Sequence, residues 1–291
     1  MRSRAYALLL LSMLSWGLAN PLSDIAVDQL SVGAVFATEV ASGALVLTVI
    51  GLLTGKLSFE HWRWAIVLGL LEPGLTYLFG NLGYSHGTVS TGLIIMQSEV
   101  IFLAIFGWIW LKESIGGREG AAILLGTFGA MLVGWSASSD QAGEVVSTIA
   151  FFIAAIAAAG YAVSIRKFAT LKNSANMYSV VWMQSLVSLA MALIALPITQ
   201  NLGTTGVAAD LSAIAAAIGA GVFGVAIPFV LFSWASTAVP SRHAALALNI
   251  IPVAGISIGA LIGRGLPTPL QFAGGALVLL SLLAMQTQET H

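Results

Sequence analysis

The stretch "STGLIIMQSEVIFLAIFGWIWLKES", residues 90–114, decides how the chain is read. From Leu93 to Leu111 it is apolar save for Gln97, Ser98 and Glu99. As a helix rising 1.5 Å per residue, that run reaches about 28 Å, close to the thickness of a bilayer's hydrocarbon core. A segment of this kind is expected to cross a membrane, where only helices and closed barrels satisfy every backbone group. The carboxylate near its middle then asks for an explanation.

Composition points the same way. The 291 residues are 58% hydrophobic and only 8% charged, with a mean hydropathy of +0.96, whereas an ordinary soluble domain is about 25% charged. Cysteine is absent, which excludes disulfides, thiolate metal sites and thiol nucleophiles. A net charge of -1 gives no basic field for nucleic acid. The expected surroundings are the lipid bilayer.

Working outward from residues 90–114, ten apolar runs lie at 5–24, 32–53, 64–83, 88–111, 119–136, 147–166, 177–198, 212–236, 243–263 and 268–287. Polar punctuation such as "GKLSFEHWR", "KESIGGRE" and "RKFATLKNSAN" separates them. The expected fold is all-α and integral to the membrane, with ten transmembrane helices. "MRSRAYALLLLSMLSW" has the basic start of a signal peptide but no A-x-A-like cleavage site before Asn20-Pro21, so it reads as an uncleaved first helix. With the N-terminus inside, Arg2, Arg4, Lys56, Arg63, Lys112, Arg118, Arg166, Lys167, Lys172 and Arg242 all fall on the cytoplasmic side, and of the basic residues only Arg264 falls outside. Both termini are expected in the cytoplasm, and a bacterial inner membrane is the expected location.

The chain also repeats. "SWGLANPLSDIA" (15–26) and "AAGYAVSIRKFA" (158–169) occupy like places in two halves, and "YLFGNLGYSHGTVSTGLIIMQ" (77–97) lies over "FVLFSWASTAVPSRHAALALN" (229–249) at an offset of 152. Five spans followed by five more divide the chain into 1–140 and 141–291. Because five is odd, the second five-helix repeat enters the membrane inverted, an arrangement that sets a substrate near the midplane between the halves.

Two soluble-enzyme patterns fail on context. Residues 219–224 match G-x-G-x-x-G and residues 255–259 match G-x-S-x-G, yet both lie inside apolar helical runs without the strand that either motif needs. Glycine there is expected to serve close helix packing. Lys56 follows only "GLLTG", so no phosphate loop exists and ATP is not the direct energy source. His61, His86, His243 and His291 show no zinc spacing. No cofactor or metal is expected.

What remains are polar groups at membrane depth. An acidic side chain there costs about 2.5–3.5 kcal/mol even on the lenient insertion scale, so Glu39, Glu72 and Glu99 should face the bundle interior. Helical spacing places Met96 and Glu99 on one face of the fourth helix with Gln97 beside it, Tyr77 with Asn81 on the third, and Trp16 with Asn20 on the first. The 152 offset carries Tyr77 onto Phe229 and Gln97 onto Asn249. With Tyr161 from the sixth helix, these ten residues, Trp16, Asn20, Tyr77, Asn81, Met96, Gln97, Glu99, Tyr161, Phe229 and Asn249, are the expected substrate-binding set. The same residues also admit a bland reading, in which amides tie helices together and carboxyls bond to neighbouring helices. Pro73-Gly74 and Pro228, in equivalent third helices, and Pro252 in the ninth are expected to kink their helices.

Trp16-Gly17, a small-residue fourth helix ending in "LKES" (111–114) and the glycine-rich "GAAILLGTFGAMLVG" (120–134) resemble the EamA family of the drug/metabolite transporter superfamily, most of all its aromatic amino acid exporters of the YddG type. The resemblance spans the whole chain. It implies ten helices in two halves and export of amino acids, aromatic and other neutral ones, by a secondary transporter using alternating access; a monomer is one open expectation for its assembly. The sequence departs from the family in two places. Glu99-Val100 stands where many members have a mid-helix proline, which the second half keeps as Pro252, and Gly263-Arg264-Gly265 replaces a glycine-glutamate pair. Exporters of other small metabolites or drugs stay open as an alternative, with a channel or an intramembrane enzyme behind them. The enzyme reading lacks paired aspartates or a Ser/His dyad at one depth.

Overall fold

The computed structural model describes residues 2–87, 92, 95–134, 144–172, 176–203, 210–262 and 268–286. Among them the chain is helical between its turns, with one isolated bridge joining Ser31 to Gly203. The first half holds α1 (Arg2–Val27), α2 (Val32–Thr54), α3 (Trp62–Gly69), a π-helical segment (Leu70–Leu75), α4 (Thr76–His86), α5 (Ser98–Leu111) and α6 (Gly117–Gly134). The second holds α7 (Glu144–Leu171), α8 (Met177–Thr199), α9 (Leu211–Gly221), a second π-helical segment (Val222–Ala226), α10 (Ile227–Ala235), α11 (Ser241–Leu248), α12 (Ile250–Leu261) and α13 (Pro269–Gln286). Among the described residues, six helical stretches are long and apolar enough to cross a membrane: 4–27, 32–54, 62–86, 145–171, 177–199 and 211–235. The other four expected runs are met by shorter apolar helices, 98–111, 120–129, 246–261 and 272–281. The expected boundary at 140/141 and Gly263-Arg264-Gly265 lie outside the described residues.

The surface is turned inside out relative to a soluble protein. Leu53, Ile194, Ile198 and Leu211 are exposed, while Glu39, Gln184 and Asn249 are wholly buried. Apolar side chains facing outward and polar ones facing inward are what a lipid solvent selects.

Packing between the halves follows one rule. α2 packs on α8 and α6 on α13, while α1 packs on α10 and α12, and α4 and α5 pack on α7. Exchanging each of the ten runs for the one five places along leaves this set of pairs unchanged, which is the pattern of a pseudo-twofold axis. Small residues make the approaches possible. A Cβ on Gly17 of α1 would stand 2.5 Å from the Cβ of Ala254 in α12, and one on Gly129 would stand 2.7 Å from the Gly274 carbonyl. Gly83 and Gly92 both leave room for the ring of Phe151. Glycine and alanine at such crossings let backbones come close where hydrophobic burial cannot drive association.

Four interruptions shape the interior, and they come in pairs. The two π segments begin at Leu70 and Val222, and helical runs stop and restart at Gln97 and Asn249. Both pairs differ by 152, the offset of the sequence repeat. A π turn leaves carbonyls that its own helix does not bond, and in a membrane these need other partners. Pro73, which lacks an N–H, sits in the first π segment, where Glu72 leaves helical geometry (φ -149°, ψ 129°). The Gly69 carbonyl just before it accepts from Ser188 Oγ at 2.6 Å, and that of Leu71 from Thr76 Oγ1 at 3.1 Å. In the second segment the Phe223 carbonyl accepts from Ser15 Oγ at 2.6 Å. Pro228 lies inside the continuous helical stretch 211–235, where its missing N–H removes the i−4 donor to the Gly224 carbonyl, while Pro252 lies in the first turn of α12, where a missing N–H costs nothing. The expected single run 243–263 is thus two helices that meet at Asn249, and Pro252 stands where the second one starts.

Candidate functional site

One cavity of about 110 Å³ lies between the halves at the level of these breaks. About 10–15 Å³ admits one water, so the space holds several. Its walls come from α1 (Trp16, Asn20, Ser23), from the first π segment and α4 (Glu72, Thr76, Tyr77, Gly80, Asn81, Tyr84), and from Met96, Gln97, Glu99 and Val100. Phe151, Tyr161 and Ala162 of α7, Phe232 of α10, and Leu248 and Ile251 close the far side.

Eight of the ten expected binding residues meet here: Trp16, Asn20, Tyr77, Asn81, Met96, Gln97, Glu99 and Tyr161. Phe229 and Asn249 do not line the cavity. Phe229 is fully buried one layer back, with its ring 5.3 Å from Trp16, 6.4 Å from Tyr77 and 5.2 Å from Tyr161, so it is a common backing for three wall residues. Asn249 turns away toward α6 and α13, because a Cβ on Gly126 would meet its Nδ2 and Ser281 Oγ, each at 2.6 Å. Both amide atoms of Asn249 lack partners. Ser23, Glu72, Thr76, Gly80 and Tyr84 also line it without being in the expected set. Their signal was present in the spacing: Ser23 follows Asn20 by three, Tyr84 follows Asn81 by three, and 72, 76, 80 and 84 run down one helical stripe.

The donors on the walls are largely committed to the protein itself. Tyr77 Oη and Trp16 Nε1 both donate to the Gly224 carbonyl, at 2.5 and 3.0 Å. That carbonyl lies in the second π segment, and a Cβ on Gly224 would come 2.8 Å from Tyr77 Oη. The glycine read as a packing residue therefore lets two wall aromatics of the first half lock onto the second. Ser23 Oγ donates to one carboxyl oxygen of Glu39 at 2.5 Å, and Asn81 Nδ2 to the other at 2.8 Å. Glu39 is thereby held behind the wall by two residues that line it.

Glu99, the carboxylate of the opening stretch, stands in the first turn of α5. The break at Gln97 makes its location a helix N-terminus, where free N–H groups and the macrodipole favour negative charge. Gln97 is 5% exposed, and its Oε1 has no partner.

At the end toward Arg166 the walls close. No lining residue comes from 163–171 or from 233–247. There the Tyr6 hydroxyl is hydrogen-bonded to His243 Nδ1, and Arg166 pairs with Glu113 at 3.5 Å while donating to the Ser236 carbonyl at 2.7 Å. At the opposite end Gln29 Nε2 donates to Asp210 Oδ2 at 3.2 Å, and the Val32 N–H donates to the Leu202 carbonyl at 3.0 Å. Asp210 caps α9 through the Ala213 N–H, and donation from Ser212, Ala213 and Gln29 holds its carboxyl down to about 2. Among the described residues no cluster of His, Asp and Glu could hold a metal ion.

A protein of known crystal structure superposes on this fold with a TM-score of 0.77 at 17% identity, covering 99% of this chain and all of its own. No curated protein matches the sequence. Two copies of one family pattern, described as the EamA-like transporter family, match residues 3–135 and 146–287, one on each half, and neither match reaches down to the aromatic exporters within it. A multi-pass helical protein, twice matched end to end and hollow between its halves, the chain belongs to the EamA-like transporter family.

Proposed function

We propose that the protein exports amino acids, aromatic and other neutral ones, across the bacterial inner membrane as a secondary transporter. In this reading ten spans form two inverted five-helix halves, and alternating access exposes the central cavity first to one face and then to the other. The observation that carries it is the cavity itself, walled by both halves at the depth of the π segments, with Trp16, Tyr77 and Tyr161 for an apolar side chain and Glu72, Gln97 and Glu99 for an amino group. The ties at the Arg166 end and the absence of lining residues beyond Ala162 and Leu248 fit a state closed on that side. Lacking a phosphate loop, the protein moves solute down its own gradient or that of a coupled ion.

Purified protein in liposomes is expected to take up labelled phenylalanine or methionine saturably, with unlabelled amino acids competing. Glu99→Gln keeps volume and hydrogen bonding but loses the charge, and is expected to cut uptake at least about tenfold with the thermal midpoint little changed. Uptake of nucleotide-sugars or phosphorylated sugars with no response to any amino acid would remove the amino acid reading.

A further inference from the structure

Charge in the cavity is one-sided. Glu72 and Glu99 both line it and lie close enough to interact electrostatically, while no Lys, Arg or His is on the wall. Past the closed end, Arg166 is engaged by Glu113 and the Ser236 carbonyl. The third glutamate of the region, Glu39, already has a partner on each oxygen.

Much of the wall's donor capacity is already committed. Trp16, Ser23, Thr76, Tyr77 and Asn81 point their donors into the protein, at backbone carbonyls or at Glu39. What remains includes three acceptors, the Glu72 and Glu99 carboxyls and Gln97 Oε1, a buried oxygen of a wall residue without a partner, beside the Asn20 amide and the Tyr84 and Tyr161 hydroxyls. A buried acceptor left unpaired costs free energy that a donor entering the cavity recovers. Aromatic faces surround the three: Trp16, Tyr77 and Tyr161. Such faces attract cations, more strongly where water is excluded.

We propose that the cavity recognises the ammonium group of a primary amine carrying an apolar or aromatic body, through Glu72, Glu99 and Gln97 Oε1, and that a carboxylate on the solute is not recognised. The inference rests on the transport reading above and narrows it. Amino acids bind through the group they share with simple amines. An α-carboxylate meets no cation on the wall and shares a small space with two glutamates, so it lends no affinity. Anions without an amine are excluded.

Labelled phenethylamine binding to the full-length protein in nanodiscs, competed by phenylalanine, N-acetylphenylalanine and phenylacetate, tests this. Phenethylamine is expected to bind saturably and phenylalanine to compete equally or less well, while N-acetylphenylalanine and phenylacetate fail to compete at about a hundredfold excess. Glu72→Gln and Glu99→Gln should each weaken phenethylamine binding at least about tenfold while the unfolding temperature holds. If the variants do not fold, the competition series on the unaltered protein decides alone. Absence of phenethylamine binding, equal competition by phenylacetate, or unchanged binding in folded Gln variants overturns the proposal. Phenylalanine uptake that phenethylamine does not inhibit overturns it while leaving the amino acid reading in place. Phenethylamine binding that phenylalanine does not displace upholds it and removes amino acids as the solutes.

Discussion

At the scale of single residues, three intramembrane glutamates of one charge type have different surroundings. Glu39 is wholly buried in α2, with Ser23 and Asn81 donating to its two oxygens. Glu72 and Glu99 open onto the cavity instead. This separates a carboxyl that fastens α1, α2 and α4 together from two that are available to a solute. Asn81→Ala is therefore expected to destabilise the protein by about 1–3 kcal/mol, the cost of leaving a buried charged-type acceptor short of a partner. Thermal unfolding of the purified variant measures it. A midpoint equal to that of the unaltered protein would mean that Asn81 serves the cavity alone. The sequence shows three glutamates inside apolar runs and singles out Glu99 alone for the binding set, whereas their neighbours put Glu72 with Glu99 and set Glu39 apart.

At the scale of elements, the paired π segments and the breaks at Gln97 and Asn249 decide where functional groups point. In the second segment the π turn adds one residue and so rotates everything beyond it by about 100° relative to an unbroken helix, and in the first the non-helical Glu72 kinks the chain. The glycines around these elements divide accordingly into two kinds. A Cβ on Gly221, at the end of α9, would fall 2.1 Å from the Glu39 carbonyl and 2.0 Å from Ser42 Oγ, and backbone cannot yield there. A Cβ on Gly80 meets nothing within 4 Å, because that face of α4 borders the cavity. Gly221→Ala is expected to cost about 3 kcal/mol or more and to lower the yield of folded protein. Gly80→Ala should fold as well as the parent, helped by alanine's better helix propensity, while Gly80→Leu fills the cavity and slows uptake. Size-exclusion profiles and liposome flux on the three variants read these outcomes, and normal folding of Gly221→Ala would contradict the packing of α9 on α2.

At the scale of the whole molecule, the connections sort onto two ends. Asn176 Nδ2 donates to the Lys56 carbonyl at 2.8 Å, which brings the turn after α2 beside the one before α8. At the other end the Val32 N–H meets the Leu202 carbonyl, and Gln29 meets Asp210. Lys56 and Lys172 thus share an end, and Asn201 lies across α8 from it. The absence of cysteine makes single-cysteine labelling clean. Lys56→Cys and Lys172→Cys are expected to react with a membrane-impermeant maleimide only from the cytoplasmic face, and Asn201→Cys only from the outside. Labelling of Asn201→Cys and Lys56→Cys from the same face would undo the crossing of α2 and α8, and with it the inverted arrangement.

The sequence by itself determined that this chain lives in lipid, where its helices run, that it repeats at an offset of 152, and that Trp16, Tyr77, Asn81 and Glu99 sit on shared faces. Those properties are local, since hydropathy and the 3.6-residue period need no knowledge of neighbours. Tertiary structure alone decided that Glu39 is held by Ser23 and Asn81, that Phe229 backs the wall it was expected to form, and that Asn249 turns toward Gly126 and Ser281. Equivalent positions in two halves share depth and helix face, but the cavity draws most of its polar wall from the first half. Which side chain reaches it depends on how each helix is rotated against partners from the other half, a long-range arrangement that no window of sequence contains.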